Sequence, residues 1–338
     1  GSVRESRARM TEQPNGLWRL NVGVPMPIET CVDTTGSMGD NVDIAMRVLP
    51  MAFECWAQVL PGYDLQVATG IFGDRADPIV LCRPQYEMLA EPIVRQLTLM
   101  VPIRKGDDIP EDPQYGLFAG AYLTKAYINQ IGLKRYYFTV SDAPGRDRLE
   151  ERQLVRIFGK DVFAKAAENG HQVNRNRLPS TKEVVRDLLK EAHAFFLQVE
   201  YASETTHFWK NIFGANRVVL LPRTEVLPQV QAAIIGLTEG TLDLDQVPGF
   251  LIKNKVRQDE VDRIVRSVAN IPIRAQAQLP NFARRPKAGD LFRKKDDAWP
   301  LTDAELRAEA AKRAGTAQPP AEPHPGSPAA EDDGEPWL

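Results

Sequence analysis

Asp33, Thr35 and Ser37 stand at alternate positions in IETCVDTTGSMGD (residues 28–40), with Gly36 between the two hydroxyl residues. The apolar run before them ends at Asp33. A strand is therefore expected to deliver one carboxylate and two hydroxyls at its carboxyl end, the end of an open α/β sheet where ligand chemistry collects. These are hard oxygen donors. Mg²⁺ takes about six oxygens in near-octahedral array and keeps some of its water, so such a set suits Mg²⁺, or Mn²⁺ in its place, and leaves a position open to a further ligand.

At these residues the chain resembles a von Willebrand factor A (VWA) domain of the intracellular bacterial type, whose metal-ion-dependent adhesion site (MIDAS) opens with Asp-x-Ser/Thr-x-Ser on the first core strand. The resemblance implies a metal held by three loops at strand ends. Asp33, Thr35 and Ser37 match the first loop. Asp142, at the end of YYFTVSD, matches the third, where the family places an aspartate that reaches the metal through water; on its own residue type it equally reads as a turn or N-cap residue. The second loop departs from the adhesion-receptor pattern, because the position of their threonine falls on Asp108 in GDDIPE, similar to the Gly-Asp-x-Pro-Glu form of many bacterial members. Direct ligation by Asp108 would add a negative charge and make the site less attractive to an incoming carboxylate, so a water-mediated or outer position is expected for it. Asp74, in FGDRAD, is expected on the same rim as a turn residue, and Glu111 in the first turn of its own helix.

The hydrophobic pattern supplies the elements that must hold these groups. A first core strand is expected over about 27–32. Val42, Ala45, Val48, Leu49 and Ala52 then recur at helical spacing, so a helix returns along the sheet, with Pro50 placed to kink or split it. LQVATGIF (65–72) reads as a second strand, and a tight turn leads to a short third strand over 79–82, a hairpin at one sheet edge. Residues 86–100 are helical by pattern. The acidic loop RKGDDIPEDP (104–113) ends in Pro113 at a first helical position, and a largely apolar helix follows over 115–131. KRYYFTVSDAPGR (134–146) repeats the strand-to-loop junction of the first motif. One helix over 149–167 precedes a capping box, Ser180 with Glu183, that starts another. A buried strand (194–199), a helix (205–213) stopped by Gly214, a last strand (217–221) and a last helix (226–237) complete the unit. Strands alternating with helices at this spacing imply an α/β, Rossmann-like three-layer sandwich: a mostly parallel central sheet with one antiparallel edge strand and helices on both faces.

Four regions follow from composition. Residues 1–23 form a polar arm, with Gly1-Ser2 read as a tag scar and order beginning near Leu17. Residues 24–240 carry the VWA-like pattern, and 241–300 a C-terminal appendage with one helix over 258–269 and a surface arm. Residues 301–338 hold a short charged helix near 303–313 and a proline-rich tail expected to be disordered. A hydrophobic content of 43% over 338 residues is enough for a full-sized core. The net charge of -3 makes no whole-chain case for nucleic acid. In the surface arm, Arg284, Arg285, Lys287, Arg293, Lys294 and Lys295 are interrupted by Asp290, Asp296 and Asp297, the pattern of a solvated segment. No apolar run approaches the roughly 18 residues of a membrane span, and the polar first residues are not a signal peptide, so a cytoplasmic protein is expected. Cys31, Cys55 and Cys82 are too widely spaced for a disulfide framework or a zinc site and read as reduced core residues; the four histidines show no metal-ligand spacing.

The resemblance implies a non-catalytic module in which a partner protein's Asp or Glu completes the shell of a Mg²⁺, an adaptor of the kind found in assemblies with ring-forming ATPases or kinases. The alternative is a phosphotransferase similar to the haloacid dehalogenases, whose nucleophile motif also places Asp-x-Thr-Gly after an apolar strand and would make Asp33 the nucleophile. Against it, Thr35 stands where those enzymes usually carry a second aspartate, and no downstream lysine and aspartate pair follows in order.

Overall fold

The computed structural model describes residues 8–12, 18–22, 24–88, 90–100 and 110–284. Ala8–Glu12 (β1) and Trp18–Val22 (β2) pair as a two-stranded sheet, where a loose arm up to about residue 17 was expected from composition. The main sheet contains Val24–Asp33 (β3), Tyr63–Phe72 (β4), Leu81–Cys82 (β5), Arg135–Ser141 (β6), Ala192–Gln198 (β7) and Val218–Leu220 (β8), in the spatial order β5-β4-β3-β6-β7-β8. Every pairing is parallel except β4 with β5, the hairpin at one edge. All ten residues of β3 are buried. A strand covered on both faces has no reason to alternate apolar with polar, which is why VPMPIETCVD reads as a run.

Eleven α-helices are assigned among the described residues: Asn41–Val59 (α1), Ala90–Leu99 (α2), Gln114–Phe118 (α3), Tyr127–Gln130 (α4), Glu151–Phe158 (α5), Val162–Glu168 (α6), Thr181–Glu191 (α7), Ser203–Phe213 (α8), Leu227–Glu239 (α9), Val247–Lys253 (α10) and Gln258–Val268 (α11). They cover two faces, and the period-two geometry of the strands sorts the core accordingly. Met26, Ile28 and Val32 of β3, Tyr136, Phe138 and Val140 of β6, and Phe195 and Leu197 of β7 pack with residues of α1 and α9. Cys31, Tyr137, Ala194 and Phe196 turn the other way, toward α3, α7 and α8. The architecture is an α/β three-layer sandwich of Rossmann-like type.

Several elements differ from their sequence expectation for reasons that lie outside the local segment. α1 runs unbroken through Pro50. Pro50 is exposed, on the solvent side of the helix, where its ring displaces no core packing. The helix expected over 86–100 starts only at Ala90, because Glu87 exchanges two backbone hydrogen bonds with Val67 (2.8 and 2.9 Å). The helix expected over 115–131 is broken. α3 passes into a π-helical turn, Ala119–Leu123, and Thr124 is extended (φ -107°, ψ 122°). Thr124 Oγ1 donates to the Ala119 carbonyl (2.9 Å) and accepts from Arg83 Nη2 (2.6 Å), so a partly buried arginine captures the residue that would have continued the helix. The single helix expected over 149–167 is two, α5 and α6, parted by Gly159 at φ 92°. The capping box at Ser180 forms as its sequence implies, with Ser180 N donating to Glu183 Oε2 (2.8 Å) and Glu183 N to Ser180 Oγ (3.3 Å).

The stretch after Gly240 holds α10 as well as the expected α11, and Val247, Phe250, Leu251, Val256, Val261 and Ile264 join the same buried cluster as β3. Farther on, the Gln276 side chain donates to the Lys134 carbonyl (2.9 Å) and meets His193 Nε2 at 2.9 Å. The surface arm from 285 onward, the charged helix near 303–313 and the tail lie outside the described residues. None of the described helices is long and apolar enough to cross a membrane.

His193, at the start of β7 and 3% exposed, makes that closure pH-sensitive. Burial holds its imidazole down at about 3, against the opposing hydrogen bond with Gln276. The unfolded chain takes up a proton below about pH 6.5 that the folded protein refuses until about pH 3, so stability falls as pH drops through that window. Urea unfolding of wild type and His193→Gln between pH 7 and 4 is expected to show a shallower loss in the variant. The single group contributes a slope of at most about 1.4 kcal/mol per pH unit.

Candidate metal centre

The parallel register of β3 with β6, Val32 opposite Val140, brings Asp33 beside Ser141 at the carboxyl ends of the two central strands. Immediately after β3, Thr34 anchors the loop, its N–H and Oγ1 both donating to the Phe72 carbonyl at the end of β4 (2.9 and 3.0 Å). Thr35 and Ser37 follow around the single 3₁₀ turn Gly36–Met38, which Gly39 leaves at φ 49°.

Asp33 is fully buried and both of its oxygens are engaged. Oδ1 accepts from Thr35 N (2.9 Å) and Thr35 Oγ1 (2.7 Å), and Oδ2 accepts from Ser141 Oγ (2.6 Å). Thr35 Oγ1 lies 3.2 Å from Ser37 Oγ, and Ser37 Oγ donates to Asp142 Oδ1 (3.0 Å). Five side chains from two strand ends thus form one continuous series, Ser141–Asp33–Thr35–Ser37–Asp142. Thr35 is buried and Ser37 exposed, so the series opens to solvent at its hydroxyl end.

Asp142 is held by its backbone. Its carbonyl accepts from Thr205 Oγ1 (3.0 Å), and the next carbonyl, of Ala143, accepts from the buried Trp209 indole (2.9 Å). Burial pushes the Asp142 carboxyl above its usual range, partly offset by the Ser37 hydrogen bond. Burial likewise lifts Asp33 to about 6, against the hydrogen bonds from Ser141 and Thr35. Carboxylates that are desolvated and rich in donors are short of positive charge, the condition a cation relieves.

Two residues enter the site that the sequence motif does not assign to it. Ser141 is the partner of Asp33 just described. Glu111 is the other, and it does not serve the first turn of its own helix. Its backbone pairs with the exit loop of β6, N–H to the Pro144 carbonyl (3.0 Å) and carbonyl from Arg146 N (3.2 Å), which brings its carboxyl to Thr35 and Asp33. The side chain is 2% exposed, Oε2 has no hydrogen-bond partner, and burial followed by the Asp33 charge pushes it up to about 8. Asp74 keeps its turn, accepting from Ala76 N (2.7 Å), and is also paired with Arg146 (3.0 Å), which lies 3.2 Å from Asp112 as well. Asp108 lies outside the described residues.

Adjacent oxygens around an octahedral Mg²⁺ lie about 2.9 Å apart, since each metal–oxygen bond is about 2.0–2.1 Å. The Thr35–Ser37 and Ser37–Asp142 separations, 3.2 and 3.0 Å, match that spacing. Together with the unpartnered Glu111 oxygen, the donor set fits a hard divalent cation. No cluster of three or more His, Cys, Asp or Glu side chains is placed to hold one among the described residues, so the hydroxyls are indispensable to the fit.

No family model matches the chain, and no curated protein does. Solved structures do. A pilus adhesin, SpaC from Lactobacillus rhamnosus GG in an open conformation, is similar at TM-score 0.44 and 15% identity over 72% of this chain and 34% of its own. The vWF domain of the type V pili tip protein Mfa5 from Porphyromonas gingivalis is similar at TM-score 0.43 and 9% identity over 66% of this chain and 97% of that one. Proximal thread matrix protein 1 from the mussel byssus, in a structure with a zinc-occupied MIDAS motif, is similar at TM-score 0.40 and 11% identity, over 64% of this chain and 46% of its own. The chain spans about a third of the length of the pilus adhesin chains it matches, 34%.

The local geometry makes two variants informative. In metal-free buffer at pH 7, Asp33→Asn is expected to melt no lower than wild type. A folded-state pKa raised to about 6 means that ionised Asp33 opposes folding at that pH, and a neutral amide removes the opposition. A lower melting temperature would show that the charge itself holds the loops. Gly145→Ala is expected to do the reverse. A Cβ there meets the Trp209 ring at 2.8 Å and Pro113 at 3.1 Å, where Glu111 pairs with the β6 exit loop. A loss of about 1–3 kcal/mol, the range for overpacking a core, should appear in urea unfolding.

Proposed function

We propose that the chain is a metal-dependent protein-binding module, a MIDAS-type site in which Mg²⁺ or Mn²⁺ is held by Asp33, Thr35 and Ser37, with Asp142 reaching it through water. The observation that carries this reading is the continuous series of oxygens from two strand ends, buried at Asp33 and open to solvent at Ser37. When bound, the cation supplies an electrophilic position to which a partner's Asp or Glu side chain adds a carboxylate oxygen. The chain's own residues do the rest. Ser141 and the Thr35 N–H orient Asp33, and Thr205 and Trp209 fix the loop that carries Asp142. Burial followed by the Asp33 charge pushes the Glu111 carboxyl up to about 8, so among the carboxyls of the site it is the one least ready to add a negative charge.

The reading is non-catalytic. Both oxygens of Asp33 are taken by donors and the carboxyl is fully buried, which weighs against its attack on a phosphoryl group. Cys31, Cys55 and Cys82 are free thiols, which supports a reducing, cytoplasmic setting. The sequence resemblance to intracellular bacterial VWA proteins extends the proposal to an adaptor beside a ring-forming ATPase or a kinase. Asp108 remains in the proposal as a water-mediated or outer contributor, in keeping with a site that must attract a carboxylate.

Calorimetric titration of Mg²⁺ into metal-free protein is expected to show one site, and Asp33→Ala to weaken it at least about tenfold, the loss expected when one charged donor of a small set is removed. Equal binding by the two proteins would remove the assignment. The phosphotransferase alternative makes a different forecast. Mg²⁺-dependent hydrolysis of a generic phosphate ester, absent in Asp33→Asn and needing no partner, would replace the binding module with an enzyme.

A further inference from the structure

β8 is the edge strand next to β7, and its outer side is not available as a ladder. Ser267 of α11 blunts it, Oγ accepting from Leu220 N (2.8 Å) and donating to the Leu220 carbonyl (3.2 Å). A side chain standing where a strand would pair protects the edge from association. It also leaves a trough between β8 and α11. Two pockets of about 230 and 470 Å³ share Tyr201, Leu220, Arg266 and Ser267 and so form one continuous groove. Its apolar floor is exposed, with Tyr201 at 70% and Leu220 at 37%. Lys210 lines the smaller pocket, Arg263 the larger and Arg266 both.

These three cations are exposed, and none has a carboxylate partner among the described residues. Arg266 donates Nε to the Asp262 carbonyl (3.2 Å), a contact to backbone and not to a carboxylate. The single acidic side chain of the groove, Glu200, is already bound to Asn41 Nδ2 (3.2 Å). Glu200 also fixes where the groove begins. It follows β7 with a left-handed backbone (φ 55°), a conformation unfavourable for a non-glycine residue that here is braced by Gln198 Nε2 donating to its carbonyl (3.1 Å). Asn41, its partner, starts α1 four residues after Ser37 of the oxygen series. The groove therefore starts beside the candidate metal centre and runs away from it along the β8 edge.

We propose that this groove binds an extended acidic segment of the same partner protein whose carboxylate reaches the metal, so that the metal fixes one acidic residue and Arg263, Arg266 and Lys210 read further ones downstream of it. The inference rests on the binding-module reading of the metal centre. Charge complementarity selects the occupant: three cations without a carboxylate partner among the described residues, over an apolar floor, suit carboxylates interleaved with apolar side chains. Because Ser267 occupies the backbone of Leu220, recognition there is by side chains and does not extend the sheet. A nucleic-acid strand would find the same cations but no stack of aromatic rings, Tyr201 being the one ring in the lining.

The test uses the full chain and a fluorescein-labelled peptide alternating glutamate with leucine, read by anisotropy with Mg²⁺ and with EDTA. Arg263→Gln/Arg266→Gln is expected to weaken the peptide about tenfold in both buffers, the sum of two rim charge contacts, while calorimetric Mg²⁺ affinity stays at the wild-type value. Tyr201→Ala should weaken it several-fold, and the glutamine-for-glutamate peptide should bind wild type no better than the double variant binds the acidic one. Loss of binding in Asp33→Ala with no effect of the two arginine changes would leave the metal reading intact and overturn the groove. The converse, loss in the arginine variant with no response to Mg²⁺ or Asp33→Ala, would keep the groove and remove its link to the metal. Displacement of the peptide by a DNA oligonucleotide at equal charge concentration, or a concentration-dependent dimer that blocks the peptide, would assign the groove to another occupant and overturn the proposal.

Discussion

A fully buried carboxylate at the end of the central strand is the constraint around which this rim is built. Asp33 loses its hydration completely, and an ionised carboxylate without compensation in such a place is expensive enough that it takes up a proton instead. Three donors reduce that penalty, two from Thr35 and one from Ser141. Each comes with a structural demand. The Thr35 contacts require the tight turn after β3, and the Ser141 contact requires the β3–β6 register, because a shift of one residue would turn Ser141 to the opposite face. Donors alone leave the carboxyl raised to about 6, a shortfall that positive charge would relieve under the proposed reading.

The same face of β3 carries a second buried charge farther from the rim, and it is handled differently. Glu29 is paired bidentately with Arg83, with Nη2 to Oε2 at 2.6 Å, and accepts from Tyr86 (2.8 Å). Burial pushes this carboxyl up, but the Arg83 guanidinium overrides it and holds Glu29 below its usual range. Arg135 of β6, fully buried, adds to the field and donates Nη2 to the Gly120 carbonyl inside the π-helical turn. One acid on this face is neutralised by the protein's own cations, and the other, four residues along the strand, is not. The contrast separates a structural ion pair from a site that has been left short of charge.

What was legible in the sequence follows the range of each interaction. Asp33, Thr35 and Ser37 lie within five residues of one another, and the capping box at Ser180 within four, so spacing alone placed them. Asp142 could be found because a strand pattern ends at it. Ser141 could not, since its role depends on a register between strands more than a hundred residues apart, |i−j| = 108. Glu111 sits in a recognisable Gly-Asp-x-Pro-Glu loop, yet its direction is set by pairing with residues 144–146 on another loop. The broken helix after α3 has the same origin: its apolar pattern is helical, but Thr124 is claimed by Arg83 from 41 residues away. Tertiary capture of a single polar residue outweighs a propensity worth a few tenths of a kcal/mol per position.

The parallel sheet explains why the candidate metal centre and the start of the proposed groove share one edge of the strands. In β3, β4, β6, β7 and β8 the carboxyl ends point the same way, so the loop after each strand emerges on one rim. Loops after β3 and β6 supply the oxygen series, the turn after β4 supplies Asp74 against Arg146, and the turn after β7 supplies Glu200 and Tyr201. Asn41, at the start of α1, joins the two halves, donating to Glu200 and accepting from Thr224 Oγ1 (2.7 Å) beyond β8. A ligand that engaged only the oxygen series would touch the first of these loops and the third. One that also entered the β8 groove would touch the loops beyond β7 and β8 as well, gaining contacts that a divalent cation and a lone carboxylate cannot discriminate. Specificity in such a rim has to come from the outer strands, because the central pair is already committed to holding charge.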